Sequence, residues 1–518
     1  MIRYPINTQV FEKIRKEKLV YIDKTRFIYE IVNKYSCVFL SRPRRFGKSL
    51  LLSTIESYFK GDKYLFKGLE IEHLEKKWEN YPVVHLDFSG LDPNEPESIQ
   101  KLLSGKLKEY EIKYEIVYSD PDLAARFYNL ISSIYSNTGK GVVVLIDEYD
   151  NPIVNSVHLP ELNDRMRSLL KSIYSQLKPL DKYLKFVMLT GVSRFTRMSI
   201  FSGLNNISDI SFSDDYSSIC GFTEEEIQKF LQPGIKELGF RLSLSEEETM
   251  KALKMNYDGY HFSEISPGIY NPFSLLNALN EREIKPYWMT SGTPEFLAHK
   301  LKESRVNLKK IFSERANEET LSEIDTAFSS PVALLYQTGY LTIKGYDPET
   351  RLFSLGIPNR EINENLFLQL LASFASTNVG SSLNTINDLK GYLEKGEPKN
   401  FIDRLKSFFA GIPYHLTADQ PEKYFENNIF LVLKILDMSV KSQYETSDGR
   451  IDICIQTSKY IYIIEIKINK SAEAALKQIK EKQYSAPFLQ SGKTIFEIGL
   501  SFSSSERNIV ASVIDYIQ

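Results

Sequence analysis

The chain has 518 residues, a net charge of -3 and a pI near 6.2, with 42% hydrophobic and 25% charged residues. That length allows two to four domains, and the charge balance excludes a globally basic nucleic-acid-binding field while leaving a local patch open. Cys37, Cys220 and Cys454 stand far apart in apolar runs without CxxC or Cys/His spacing, which excludes a zinc framework or a disulfide scaffold.

No run reaches the roughly 18–20 apolar residues of a membrane span. The opening MIRYPINTQVFEKIRKEK lacks a signal-peptide core. A soluble, cytoplasmic protein with no membrane partner is expected. In chain order, RFIYEIVNKY has helical apolar spacing behind a cap at Asp23 or Thr25. Cys37–Leu40 is a β-prone run that enters a basic turn, and Gly47-Lys48-Ser49 opens a helix through LLSTIESYFKGD. Tyr81–Phe88 reads as a second strand, with His85 as a packed strand histidine, and residues 97–137 read as helical.

Val142–Ile146 is a continuous apolar, β-branched run, the pattern of a central parallel strand, and it ends in Asp147 and Glu148. Tyr183–Thr190 repeats the pattern and runs into Gly191-Val192-Ser193-Arg194-Phe195. Strands alternating with helices to about residue 215 predict a parallel sheet flanked by helices. Thr223 and Glu226 form a capping box before a mostly helical middle region. Within it, residues 330–358 read as a helix and a two-stranded hairpin of winged-helix texture, and residues 359–415 as helices.

The last hundred residues differ in texture. Glu422–Leu436 is helical, and Ile451–Ile455 and Tyr460–Ile468 form a hairpin with charged residues on apolar strands. Ala472–Tyr484 is an amphipathic helix, Phe496–Leu500 a strand, and 506–518 a tail. The expected division is 1–220, 221–415 and 416–518.

A phosphate group needs inward N–H groups, a helix N-terminus, a lysine and a magnesium ligand. Cys37–Leu51, CVFLSRPRRFGKSLL, supplies them in the strand–loop–helix order of GxxxxGK[ST], except that Arg42 stands where the pattern has glycine. Gly47 gives close backbone approach, Lys48 reaches the β/γ-phosphates, and Ser49 holds Mg²⁺. Arg44, Arg45 and Phe46 line the loop. Asp147 holds the ion through water and Glu148 polarises the attacking water. Arg194, at the end of the neighbouring strand, is a candidate γ-phosphate sensor. Arg42, Arg44 and Arg45 face phosphate, solvent, or a neighbouring subunit or DNA, and the residues alone do not separate these.

Residues from about 5 to 285 resemble an AAA-ATPase-like family of bacterial proteins, on five blocks. These are Arg42–Ser49 (RPRRFGKS), Leu145–Asp150 (LIDEYD), Leu189–Phe195 (LTGVSRF), Ser202–Asn206 (SGLNN) and Cys220–Glu226 (CGFTEEE). The resemblance implies a P-loop NTPase that uses ATP, makes Arg42 the family's own form of the loop, and matches Arg194 to a sensor arginine.

Asp452, Glu465 and Lys467 form D-x12-E-x-K across the C-terminal hairpin, with Glu465 and Lys467 on one face of a strand. Two carboxylates suit Mg²⁺ or Mn²⁺, and the lysine can orient water for attack on a phosphodiester. Solvated strand acids with a structural Glu–Lys pair are the plainer reading. GRIDI, IIEIKI and LKQI resemble the PD-(D/E)XK nuclease superfamily over about residues 420–500. The resemblance implies a restriction-endonuclease-like α/β fold, matches Gln478 to a helical glutamine, and makes Glu426 a candidate extra metal ligand.

The expectation is an α/β protein with a P-loop NTPase sheet, a helical and winged-helix middle region and a nuclease-like C-terminal domain. ATP binding and hydrolysis would control a Mg²⁺-dependent DNA nuclease, with self-assembly into a homo-oligomer. The rival is a nucleotide-operated switch or scaffold whose nuclease-like domain binds DNA or protein without cutting. A DNA-translocating motor is weaker, because the balanced charge offers no strand-tracking groove.

Overall fold

In the computed structural model, the described residues are 3–90, 97–117, 121–156, 159–194, 206–288, 301, 307–322, 331–412, 421–436, 445–446, 449–450 and 452–517. Phe195, Ser202–Asn205, Ser447, Asp448 and Ile451, singled out by the sequence, lie outside them. The chain forms two compact units: Met1–Trp288 with Glu314–Asn359, and Met289–Ser313 with Arg360–Gln518.

The first unit is built on strands β1 (Cys37–Ser41), β2 (Val83–Asp87), β3 (Val142–Asp147), β4 (Leu184–Gly191) and β5 (Ser208–Asp209). They pair in parallel in the order β2-β3-β4-β1-β5. All six side chains of β3 are buried, as expected for a strand covered on both faces. Helices Ser98–Lys113, Leu123–Thr138 and Pro160–Tyr174 close one face, sharing a core with Phe39, Val84, Val144 and Leu189. On the other face, Phe59 of helix Lys48–Phe59 packs on Phe186 of β4. β5, two residues long, is too short to leave a periodic signal. His85 of β2 is part of the packing, with Nδ1 2.8 Å from Glu56.

Because β4 lies between β1 and β3, the exit of β4 separates the basic loop from the acids at the end of β3. This places the segment after Thr190 at the centre of the sheet's C-terminal edge, where open α/β sheets put their ligands.

The expected boundary at 220 does not divide compact units. The helices Glu224–Phe230, Gln232–Leu242, Glu246–Tyr257 and Pro272–Glu281 share an apolar core that includes Ile22. The Thr223–Glu226 capping box forms, and the Glu226 carboxylate also takes the buried Lys24 ammonium at 2.5 and 2.6 Å. The helix-and-hairpin expectation is met by helix Pro331–Gln337 and a three-stranded sheet. Strands β6 (Arg315–Ala316), β7 (Thr342–Asp347) and β8 (Leu352–Gly356) pair in the order β6-β8-β7, all within the first unit.

The boundary expected at 415 also falls inside a unit. Helices Arg360–Phe374, Val379–Lys395 and Pro398–Ala410 belong with the C-terminal sheet. Tyr462 donates to the Leu393 carbonyl (2.6 Å), and the Phe409, Phe425 and Phe502 rings pack together. After a two-residue pair β9 (Glu445–Thr446) and β10 (Gly449–Arg450) come β11 (Ile453–Gln456), β12 (Tyr460–Ile468), β13 (Thr494–Ser503) and β14 (Asn508–Ile517). The sheet order is β11-β12-β13-β14, with β12 and β13 parallel and the outer pairs antiparallel.

Helix Ala472–Glu481 crosses from β12 to β13 and seals one face through Ile479, Ile461 and Ile495. The stretch read as a tail is strand β14. The β-prone residues of NIVASVIDYI find their partner in β13, which the segment alone could not supply.

Candidate functional site

The basic loop after β1 turns on two left-handed residues, Arg45 (φ 69°) and Gly47 (φ 95°). A Cβ on Gly47 would meet nothing within 4 Å, so glycine is needed there for its backbone angle rather than for room. Arg42 faces neither phosphate nor solvent. It is 2% exposed and donates to the carbonyls of Ser41 (2.8 Å), Ser211 (2.8 Å) and Tyr216 (3.0 Å), with its guanidinium 4.2 Å from the Phe262 ring centre. The non-glycine position of the loop is therefore an internal strut. Phe46 is also an anchor: its buried ring packs edge-on to Tyr260 and Phe262, which corrects the expectation that its side chain lines the nucleotide. Arg45 is exposed, lying over Phe273, and Arg44 is half-buried.

Lys48 is buried at the start of its helix, and its ammonium donates to the loop's own carbonyls, Arg42 O (2.9 Å) and Pro43 O (3.1 Å). Burial holds its pKa down, opposed by Asp147, Glu148 and Asp150. A buried cation whose acceptors are neutral carbonyls fits a polyphosphate, which would replace them with charged oxygens. Ser49 follows in the first helical turn, half-buried.

At the end of β3, Asp147 is 2% exposed and its Oδ1 accepts from Thr190 Oγ1 (2.7 Å) and Glu148 N (3.0 Å). Glu148 adopts a left-handed backbone (φ 51°), a conformation that costs a non-glycine residue about 1 kcal/mol or more and persists when the surroundings enforce it. Burial raises its pKa; Lys48 opposes this, and Asp147 and Asp150 add to it. Such a carboxyl, facing Lys48, suits a group that takes or polarises a proton.

Arg194 does not join them. Its guanidinium binds Asp209, Glu318 (3.0 Å) and Ser322 (2.5 Å) and lies over Phe212, so a γ-phosphate sensor is not what this arrangement displays. Two acids capture it from segments that a linear reading does not place nearby.

In the second unit, Asp452 stands one step beyond the Ile453–Ile464 pair, opposite Glu465. Asp452 Oδ2 accepts from Ile466 N (3.1 Å). Glu465 Oε1 accepts from Lys467 Nζ (2.9 Å) and from Gln478 Nε2 (2.6 Å), while Lys467 also donates to Gln478 Oε1 (2.6 Å). Gln478, on the crossover helix, thus sets both side chains. That helix sits close because Gly499 carries no Cβ; one there would lie 2.2 Å from the Ala472 carbonyl.

Glu465 is 2% exposed, and its Oε2 has no hydrogen-bond partner. Burial raises its pKa; Lys467 pulls the other way and Asp452 pushes it further up. A buried carboxylate oxygen left open beside a second carboxylate fits a divalent cation, with water completing its oxygen shell. Glu426 does not join the group. Its helix turns Phe425, Asn427 and Asn428 inward and Glu426 outward, where Asn307 bonds it at 3.3 Å. Among the described residues no group of three or more His, Cys, Asp and Glu is assembled as a metal site, and no helix is long and apolar enough to cross a membrane.

These two sites define a P-loop type of parallel sheet and a nuclease-superfamily type of mixed sheet. Residues 5–201 match the family model for a predicted AAA-ATPase, and residues 420–512 match that for the PD-(D/E)XK nuclease superfamily. The uncharacterized protein in the vnfD 5′ region of Azotobacter chroococcum mcd 1 is 33% identical over 530 residues, covering 99% of each chain. The chain belongs to this family of AAA-ATPase-like proteins with a C-terminal PD-(D/E)XK domain.

Two residues of the nucleotide site escaped the sequence reading. Thr190 could have been found as the one polar residue closing an apolar run beside the Asp147 strand. Asp150 carried no local signal, since its partners, Val192 and Ser193, are more than forty residues away.

Proposed function

We propose that ATP binding and hydrolysis at Lys48, Ser49, Asp147 and Glu148 control a divalent-metal-dependent DNA nuclease formed by Asp452, Glu465 and Lys467. The observation that carries the nuclease half is the open Oε2 of buried Glu465 beside Asp452, with Lys467 held ready by Gln478. A cation bound there would neutralise charge on a scissile phosphate. Lys467 would orient the attacking water, and water would replace one ester oxygen on phosphorus to leave a phosphomonoester and an alcohol.

Control is supported by connectivity: residues 289–313 and the return at 314–359 carry the chain between the two units three times, where a single linker would do so once. The three buried free cysteines fit a reducing cytoplasm. The test is cleavage of single-stranded DNA, duplex DNA and RNA by the full chain with Mg²⁺ or Mn²⁺, with and without ATP. Removal of metal, Glu465→Gln and Lys467→Ala should each lower cleavage by ~10²-fold or more. No cleavage by the wild type under any of these conditions refutes the nuclease. Retention of DNA without product would favour the switch reading.

A further inference from the structure

Asp150 has no part in the phosphate chemistry above, yet it is among the most completely enclosed acids of the first unit, at 1% exposure. Its Oδ2 accepts from Val192 N (3.1 Å), Ser193 N (2.6 Å) and Ser193 Oγ, the last at very short range. No ion pair to Asp150 occurs among the described residues. Burying a carboxylate on N–H and O–H donors alone is costly, so the site must need that geometry.

The surrounding contacts say what the geometry does. The exit turn of β3 and the exit turn of β4 are stitched by Thr190 Oγ1 to Asp147 Oδ1 (2.7 Å), Tyr149 N to Thr190 O (3.1 Å) and Tyr149 Oη to Ser193 O (3.0 Å). Tyr174 backs the knot by donating to the Tyr149 carbonyl at 3.2 Å. β4 ends in Gly191, where a Cβ would lie 2.5 Å from Asp150 Oδ1 and from the Tyr149 ring, so the glycine makes room for the clamp. Glu148, in its left-handed conformation, sits between the two anchors Asp147 and Asp150.

We propose that Asp150 is a positioning residue for ATP hydrolysis: by clamping Val192 and Ser193 to the β3 exit turn, it holds Glu148 in register with Lys48. The proposal rests on the hydrolytic half of the proposed function. Displacement of a catalytic group by about 1 Å costs of the order of 10²-fold in rate while leaving ground-state binding in place. A purely structural role would lower stability and affinity together.

The test uses the full chain with Asp150→Asn, Ser193→Ala, the double variant, and Glu148→Gln as the reference for lost chemistry. The readouts are the dissociation constant of a fluorescent ATP analogue and the single-turnover rate of phosphate release with Mg²⁺. Asp150→Asn should hydrolyse ~10²-fold more slowly with affinity within about threefold of wild type, and Ser193→Ala should lose ~5–10-fold. The double variant should be no slower than Asp150→Asn, since both cut one contact.

A wild-type rate in either variant, an affinity loss as large as the rate loss, or additive effects in the double variant would overturn the clamp. Should Asp150→Asn fail to fold by circular dichroism, Ser193→Ala decides alone: slower turnover at unchanged affinity supports the clamp, and a wild-type rate overturns it. A wild-type chain that releases no phosphate refutes the hydrolytic reading itself, a result distinct from variants that match an active wild type.

Discussion

Replacing Arg42 by glycine restores the usual phosphate-loop pattern, and pattern logic alone expects it to be harmless or helpful. The structure leads to the opposite outcome. The left-handed positions of the loop are Arg45 and Gly47, so glycine's freedom is not required at 42. The substitution removes hydrogen bonds to three carbonyls, at 2.8, 2.8 and 3.0 Å, and the contact with Phe262. Bonds from a charged donor contribute about 1.5 kcal/mol each, the buried cation–π contact about 1–2, and added chain freedom costs about 0.5–1. Relief of guanidinium burial returns several kcal/mol, leaving a net loss of about 3 kcal/mol.

At roughly 2 °C per kcal/mol for a unit of this size, Tm should fall by ~6 °C. ATP affinity should fall at least ~10-fold, because the Arg42 and Pro43 carbonyls that position Lys48 lose their support. Arg42→Lys should fall between the two, since an ammonium cannot reach three carbonyls in a fork. Thermal melts and nucleotide titration of the full chain give the answer. An Arg42→Gly chain that melts within about 1 °C of wild type and binds ATP equally well would refute the strut.

Lys48→Ala should abolish measurable ATP binding by titration while the fold survives, because its acceptors are loop carbonyls that water can satisfy; full affinity in the variant would remove the site assignment. Gly499→Ala should destabilise the second unit by ~2 kcal/mol or more, since the new Cβ meets the backbone of Ala472 and Leu476 at 2.2 and 2.7 Å. Limited proteolysis should then cut this unit faster, and an unchanged pattern would contradict the packing. Glu56 should govern acid stability. Burial works to raise its pKa, but hydrogen bonds from His85 and Lys60 outweigh that and pull it down to about 2. A carboxylate with a depressed folded pKa stabilises above its unfolded pKa of about 4.5 and loses that stability as pH falls toward 2. Discounted for partial exposure, the contribution is about 2 kcal/mol. Glu56→Gln should therefore melt below wild type at pH 6, and the two melting curves should converge near pH 2; a constant gap would argue against the linkage.

Much of the fold was legible in local pattern. The four principal strands of the parallel sheet, the Thr223–Glu226 box, and the hairpin bearing Asp452 and Glu465 all follow from short-range rules: a buried strand must be continuously apolar, and a cap must sit three residues from its acid. Where contacts are remote, local pattern failed. The β14 segment looked like a tail because its partner is another strand, and the boundaries at 220 and 415 dissolved because Ile22 and Leu393 reach across them.

The same division runs through the sites. Sequence alone determined which residues carry the chemistry of the two centres: Lys48, Asp147 and Glu148, and Asp452, Glu465 and Lys467, because reactive groups must sit at strand ends and helix starts with characteristic spacing. Only the tertiary structure decided what each charge faces. It buried Arg42 as a strut, turned Arg194 to Asp209 and Glu318, sent Glu426 outward, and enclosed Asp150 against Ser193. A charged side chain's role depends on its nearest partners in space, and in this chain those partners come from segments that are far away in sequence.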